Sequence, residues 1–175
     1  MNHLTLVSTR FNENTWAENR SYRTKHTNVA CIYGSPKPLP EKILLNSLLL
    51  VVEMNNTFNQ IEGIGLVRNY SKMNGSIYST GNFNRYTYQG KYRVDREQLI
   101  KTNPELVEGL EKVLFKGKTH MKRGSGFTTI PEKLWKDRIW EERDVKKELK
   151  ELFQKSKIQE PKEHAKEDTK EEMCK

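Results

Sequence analysis

Residues 116 to 131 read KGKTHMKRGSGFTTIP, and their side chains suit contact with phosphate. Lys116, Lys118, Lys122 and Arg123 surround His120. Glycines follow at 124 and 126, and Ser125, Thr128 and Thr129 add hydroxyl donors. Cations supply charge-assisted hydrogen bonds to phosphate oxygens, and successive backbone N–H groups make a concave anion seat. If the part before Gly124 runs extended, Lys116, Lys118, His120 and Lys122 project from one face. Gly124 and Gly126 carry nothing to hold an anion away from the backbone. Pro131 then opens a helix, whose N-terminus favours negative charge. The spacing is not that of a P-loop, because the Lys and Arg precede the glycines. The same run also suits a solvated connector, with glycine for its turns and threonine capping a helix.

A nucleic-acid partner also offers bases. Trp16, Tyr33, Tyr86 and Tyr88 are the aromatics that could stack on an unpaired base, a contact worth about 1–3 kcal/mol. Each is equally suited to a core. Trp16 and Tyr33 stand apart because polar or Gly/Pro-rich segments flank them. Catalysis has less support. There is no nucleophile elbow, paired-histidine motif or dinucleotide fingerprint. His120 beside Lys122 could act as a general acid in phosphodiester chemistry, and Glu53 is a carboxylate in an apolar run. General acid–base work needs a partner group, however, and none is identifiable. Glu53, followed by Met-Asn-Asn, suits a role in holding a turn. Cys31 and Cys174, the two cysteines, form neither a disulfide framework nor a metal site. No metal or cofactor is expected, and no catalytic residue is assigned.

Composition agrees with an anionic partner. The chain has 175 residues and a formal net charge of +8, with 34% apolar and 31% charged residues. That length fits one domain with a real core. From Lys155 onward six lysines and six acidic residues cancel, so the positive charge belongs to the body. The expected organisation is a globular domain over 1–155 and a disordered charged tail over 156–175. A basic body favours nucleic acid or acidic lipid. The most apolar run, ILLNSLLLVVEM, is too short and interrupted to span a bilayer, so no membrane partner is expected. The start, MNHLTLVSTRF, lacks a signal-peptide core, which points to a reducing compartment and not to secretion.

The elements that must position these residues are strands first, then helices. HLTLVS reads as a strand. NENTWAENRSYR reads as a single helical turn, capped by Asn14 or Thr15 and anchored by Trp16. NVACIYG is strand-like, and SPKPLPEK is an extended connector. SLLLVVEM reads as a buried strand and IEGIGLVRN as its return partner, with Gly63 and Gly65 marking a bulge or a close approach. GSIYST suggests a short strand, and NRYTYQGKYRVD a hairpin turning at Gln89-Gly90, with Tyr86 and Tyr88 on one face. TNPELVEGLEKVLFKG is a helix capped by Asn103, opened by Pro104 and ended at Gly117. Further helical patches hold Leu134, Trp135 and Ile139, then Val145, Leu149, Leu152 and Phe153. Together these predict an α+β fold, a small mixed β-barrel of five or six strands with two or three C-terminal helices packed outside.

The blocks CIYGSP, VVEMNN with FNQIEGIGLVRN, GKYRVDREQL and KGKTHMKRGSGFTTIP resemble a family of uncharacterised proteins of nucleocytoplasmic large DNA viruses, over roughly residues 30–131. The strand-rich body with its I-x-G-I-G return strand is similar to PUA-like domains of the EVE and ASCH kind. That likeness implies a small barrel with a cleft for RNA or a modified base. The GxKxxExR pattern of ASCH domains is absent, so no catalytic role carries over. The resemblance implies a non-catalytic nucleic-acid-binding module, for RNA or DNA, in the host cytoplasm (viral factory) or the virion. The alternative is a basic virion or assembly protein that packs DNA or docks on other viral proteins. A phosphodiester-cleaving enzyme comes third.

Overall fold

A computed structural model describes residues 4–73, 76–136 and 143–158. The chain runs β1 (Thr5–Phe11), α1 (Glu13–Lys25), β2 (Cys31–Ser35), β3 (Leu48–Asn55), β4 (Gln60–Arg68), β5 (Tyr86–Gly90), β6 (Tyr92–Asp95), α2 (Arg96–Thr102), α3 (Pro104–Phe115), β7 (Thr128–Thr129), α4 (Glu132–Lys136) and α5 (Val145–Ile158). A short 3-10 turn, Gly81–Asn84, precedes β5. Five strands form one sheet in the order β6-β4-β3-β1-β7, and β2 with β5 forms a second. Only β1 and β3 pair in parallel in these two sheets.

Side-chain alternation along β3 explains the layering. Leu50, Val52 and Met54 face a core completed by Leu106 and Leu110 of α3 and by Val145, Leu149, Leu152 and Phe153 of α5. Leu49 and Val51 point the other way, into a second core with Trp16 of α1, Ile32 and Tyr33 of β2 and Tyr88 of β5. The five-stranded sheet is therefore buried on both faces, which is why β3 reads as an unbroken apolar run.

The fold is α+β as expected, but among the described residues the strands do not close into a barrel. The anticipated 86–95 hairpin is the point of divergence. Its two halves belong to different sheets: β5 pairs with β2, while β6 pairs with β4. Lys91 alone connects them, carrying the chain from one sheet to the other. A β-carbon on Gly90 would collide with the Leu66 carbonyl, so glycine lets the small sheet lie directly on β4 at this crossing. Of GSIYST, the described residues 76–80 form no strand; the Asn84 carboxamide oxygen accepts the N–H groups of Ile77 and Tyr78, 2.9 Å each.

The early helical turn is instead a helix of 13 residues. Its cap is Asn12, whose side chain accepts the Thr15 N–H at 2.8 Å while Thr15 Oγ1 accepts the Asn12 N–H at 3.0 Å. This reciprocal box starts the helix, although Trp16 and Asn19 are its only buried residues. Other expectations hold. Asn103 caps α3 by accepting the Leu106 N–H, Pro104 occupies the first turn, and Gly117 takes a positive φ of 79° just past the end. Helix α5 continues past the expected body boundary at 155 to Ile158. The predicted tail beyond 158 and the predicted apolar position Ile139 lie outside the described residues.

Candidate nucleic-acid interface

The segment from 116 to 127 leaves α3 on one side of the main sheet and rounds its edge to the other. Met121 belongs to the α3/α5 core. Phe127 reaches the opposite core, edge-on to Tyr33 and Tyr88 at centroid distances of 6.2 and 5.2 Å. Residues Thr128–Thr129 then pair with β1.

Arg10 of β1 holds this segment in shape. Its guanidinium donates to the carbonyls of Met121, Gly124 and Gly126, each at 3.1 Å, and to Thr128 Oγ1 at 2.8 Å. Asn56 adds a fourth fixed carbonyl, its Nδ2 donating to Lys122 O at 2.9 Å. Burial lowers the Arg10 pKa from its usual value. Gly124 and Gly126 have φ of 101° and 70°, a region costly for residues with a β-carbon. A β-carbon at Gly126 would also strike Ser35 Oγ.

Every peptide here is trans, so each inward carbonyl turns the following N–H away from Arg10. The N–H groups of Lys122, Ser125 and Phe127 therefore face away from the guanidinium, and that of Arg123 away from the Asn56 amide that holds Lys122 O. Among the described residues, those of Arg123, Gly124, Ser125 and Gly126 have no acceptor within the chain. Lys116, Lys118, Arg123, Gly124 and Ser125 are exposed; His120, Lys122, Thr128 and Thr129 are half-buried; Gly126 is buried.

Two expectations about this stretch change. Residues 116–122 do not run extended, because the chain turns at Gly117 and the His120 N–H donates to Gly117 O at 3.4 Å. Lys116, Lys118, His120 and Lys122 are thus not aligned on one strand face. His120 Nδ1 accepts the Lys122 N–H at 3.3 Å, which ties the ring to its own loop. The helix after Pro131, α4, is described over Glu132–Lys136.

The expected stacking aromatics are largely committed to the interior. Tyr33 is 0% exposed and Tyr88 1%; Tyr86 packs half-buried against the same core. Trp16 is buried, with Phe11 edge-on at 5.1 Å and the guanidinium carbons of Arg23 and Arg93 at 5.1 and 5.5 Å from its ring centre. Cations on its face and Phe11 at its edge leave no room for a base. The hollow against Gly126, lined by Phe11, Gly34, Tyr78 and Phe83, measures about 30 Å³. That holds a water or two and excludes a base.

What sequence reading missed is the polar centre between the two sheets. Glu53 is 0% exposed and bound on two sides. Arg93 donates from Nε at 2.9 Å and from Nη2 at 2.6 Å, and the Tyr33 hydroxyl donates at 2.7 Å. A buried carboxylate is tolerable only when so paired. Burial alone pulls the Arg93 pKa down; the Glu53 charge and hydrogen bonds more than reverse this, so it ends raised. Tyr33 is pushed well above its usual value, by burial first and then by the negative charge its neighbours carry when ionised.

Gly63 and Gly65 exist for this centre. A β-carbon on Gly63 would lie 2.6 Å from Arg93 Nη2 and 2.8 Å from Glu53 Oε2. One on Gly65 would overlap Tyr33 Oη and approach Cys31 Sγ to 2.8 Å. Glu53 does not hold the 55–60 turn; Asn55 does, accepting the N–H groups of Thr57 and Phe58. The centre has no room for a substrate at the carboxylate, so its chemistry is that of a fixed ion pair within the main sheet, tied to the second sheet by the Tyr33 hydroxyl.

No protein-family model matches the chain, and no curated protein matches it significantly. Among the described residues, no group of three or more His, Cys, Asp or Glu could hold a metal ion, and no helix is long and apolar enough to cross a membrane.

Proposed function

We propose that this chain is a nucleic-acid-binding protein without catalysis of its own, and that residues 116–126 meet the phosphate backbone. One observation carries the reading. Arg10 and Asn56 gather four loop carbonyls inward, so the N–H groups of Arg123 and Ser125 turn away from that cage and have no acceptor among the described residues. Lys116, Lys118 and Arg123 stand exposed beside them. Fixed donors with neighbouring cations suit an oxyanion, and the net charge of +8 supplies long-range attraction. The large-DNA-virus likeness supports a viral setting, in the cytoplasmic factory or the virion. For the PUA-like likeness, the support is the return strand β4, whose glycines admit the second sheet.

Binding of this kind weakens with salt, by a log–log slope of about 0.7 per phosphate on a single strand. The test is a fluorescence-anisotropy titration of a labelled oligonucleotide across salt concentrations, for the parent and for Arg123→Ala. Arg123 is exposed, so the variant should melt like the parent while binding more weakly and with a shallower slope, by about 0.7. Parent-like binding by Arg123→Ala at physiological salt would show that the loop is a connector only.

A further inference from the structure

Where β4 of the main sheet meets the β5–β6 crossing, the surface opens into a groove of about 740 Å³. Its walls include three cations, Arg68, Lys72 and Lys91, together with Tyr70 and Gln89, and among the described residues no carboxylate lines it. The cations come from three different segments, and all three line this one groove. Two of them stand on fixed backbone. Arg68 ends β4 and its Nη1 donates to Asn46 O at 3.0 Å. Lys72 exchanges backbone hydrogen bonds with Thr87, at 2.8 and 3.2 Å. Lys91 is the exposed residue that links the two sheets. Gly90 sets the floor, since only glycine lets the crossing lie on the Leu66 carbonyl.

Tyr70 stands at the lip. It is 61% exposed and borders both this groove and a neighbouring hollow of about 1030 Å³. An aromatic ring left open between cations is the arrangement that receives a base and its flanking phosphates. A duplex hides its base faces and offers such a ring nothing to stack on.

We infer that this groove seats a single strand of nucleic acid, with an unpaired base on Tyr70 and backbone phosphates on Arg68, Lys72 and Lys91. The inference rests on the reading that the chain binds nucleic acid, and it adds where a base sits and which strand state is preferred. It does not depend on the 116–126 loop.

The experiment titrates the full chain into a fluorescein-labelled oligouridylate of roughly 12 nucleotides and into a duplex of the same length. The single strand should bind at least about tenfold more tightly. Tyr70→Ala should weaken it about tenfold, which is 1.4 kcal/mol, and Tyr70→Trp should retain parent affinity. Lys72→Gln combined with Lys91→Gln should lower the salt slope by about 1.4. Thermal melts confirm that each variant folds.

Tyr70→Ala binding within about twofold of the parent, a difference too small for a lost base stack, would overturn the groove. Equal binding of duplex and single strand, or equal displacement by polyglutamate, would do the same. The two sites separate cleanly. A weakened Arg123→Ala beside a silent Tyr70→Ala overturns the groove alone, and the reverse pattern upholds the groove and overturns the loop. A parent chain that binds no oligonucleotide at low salt overturns both.

Discussion

Gly65→Ala is the sharpest perturbation of the fold, because local preference and tertiary packing predict opposite signs. Within a strand, alanine is ordinarily favoured over glycine by about 0.5–1 kcal/mol. Here the added carbon would overlap the Tyr33 hydroxyl and crowd Cys31. Overpacking of this kind costs about 1–3 kcal/mol. Displacing Tyr33 from Glu53 forfeits a 2.7 Å hydrogen bond to a buried carboxylate, worth about 1.5–3 kcal/mol. Set against the strand preference, the net loss is about 3 kcal/mol. At this chain length each kcal/mol moves the melting temperature by about 2–4 °C, so the midpoint should fall by about 6–12 °C.

Urea denaturation gives the free energy directly, and the dependence on urea should be unchanged. Gly81→Ala is the control, since no heavy atom lies within 4 Å of its added carbon; it should be neutral or slightly stabilising. Tyr33→Phe removes the colliding oxygen, so the double variant should be more stable than the sum of the single effects by about 1 kcal/mol or more. A Gly65→Ala protein as stable as its parent, or strictly additive effects, would refute this account of the glycines.

Two further outcomes follow from buried groups. Arg10→Met should cost about 2–3 kcal/mol by unbinding three carbonyls and Thr128, and trypsin should then cut at Lys122 or Arg123 faster; unchanged cleavage would mean that the loop holds its shape without Arg10. Stability should also fall as pH rises above about 9. Burial, then Glu53, pushes the Cys31 thiol from 9.0 up to about 12, and burial raises Tyr33 and Tyr78 as well. The folded chain then keeps protons that the unfolded chain releases, so the thiol's stabilisation is complete below pH 9 and is lost between about 9 and 12, at up to 1.4 kcal/mol per pH unit. Urea melts of the parent and Cys31→Ala from pH 8 upward check this, the variant's decline beginning nearer the tyrosine range; coincident pH profiles would exclude the thiol.

Sequence alone determined the features that short-range physics controls. The cap, proline and glycine of α3 are local hydrogen-bonding and dihedral rules, so Asn103, Pro104 and Gly117 could be read directly. The apolar run of β3 and its return through β4 follow from periodicity, as does the buried stripe of α5. Helix α1 was under-read because its face is polar: its length comes from a capping box and from contacts of Trp16 and Asn19 that periodicity does not register. The supposed hairpin failed for a related reason. Turn chemistry at Gln89-Gly90 says that the chain bends, but which strand each half pairs with depends on partners more than 50 residues away or on the neighbouring β4.

The sites divide the same way. Residue types at 116–129 announced a cationic, glycine-rich loop. Only the tertiary structure decided that its carbonyls close around Arg10, 111–116 residues earlier in the chain, and that its donors face outward. Tyr33 and Tyr70 are the same residue type in polar surroundings, yet one is 0% and the other 61% exposed. Burial depends on which segment folds over a side chain, and a linear sequence does not contain that information locally. Glu53, Arg93 and Tyr33 carry no shared motif because each lies on a different strand; pairing of β3 and β6 with the two edges of β4 brings Glu53 and Arg93 together, and packing of the second sheet adds Tyr33.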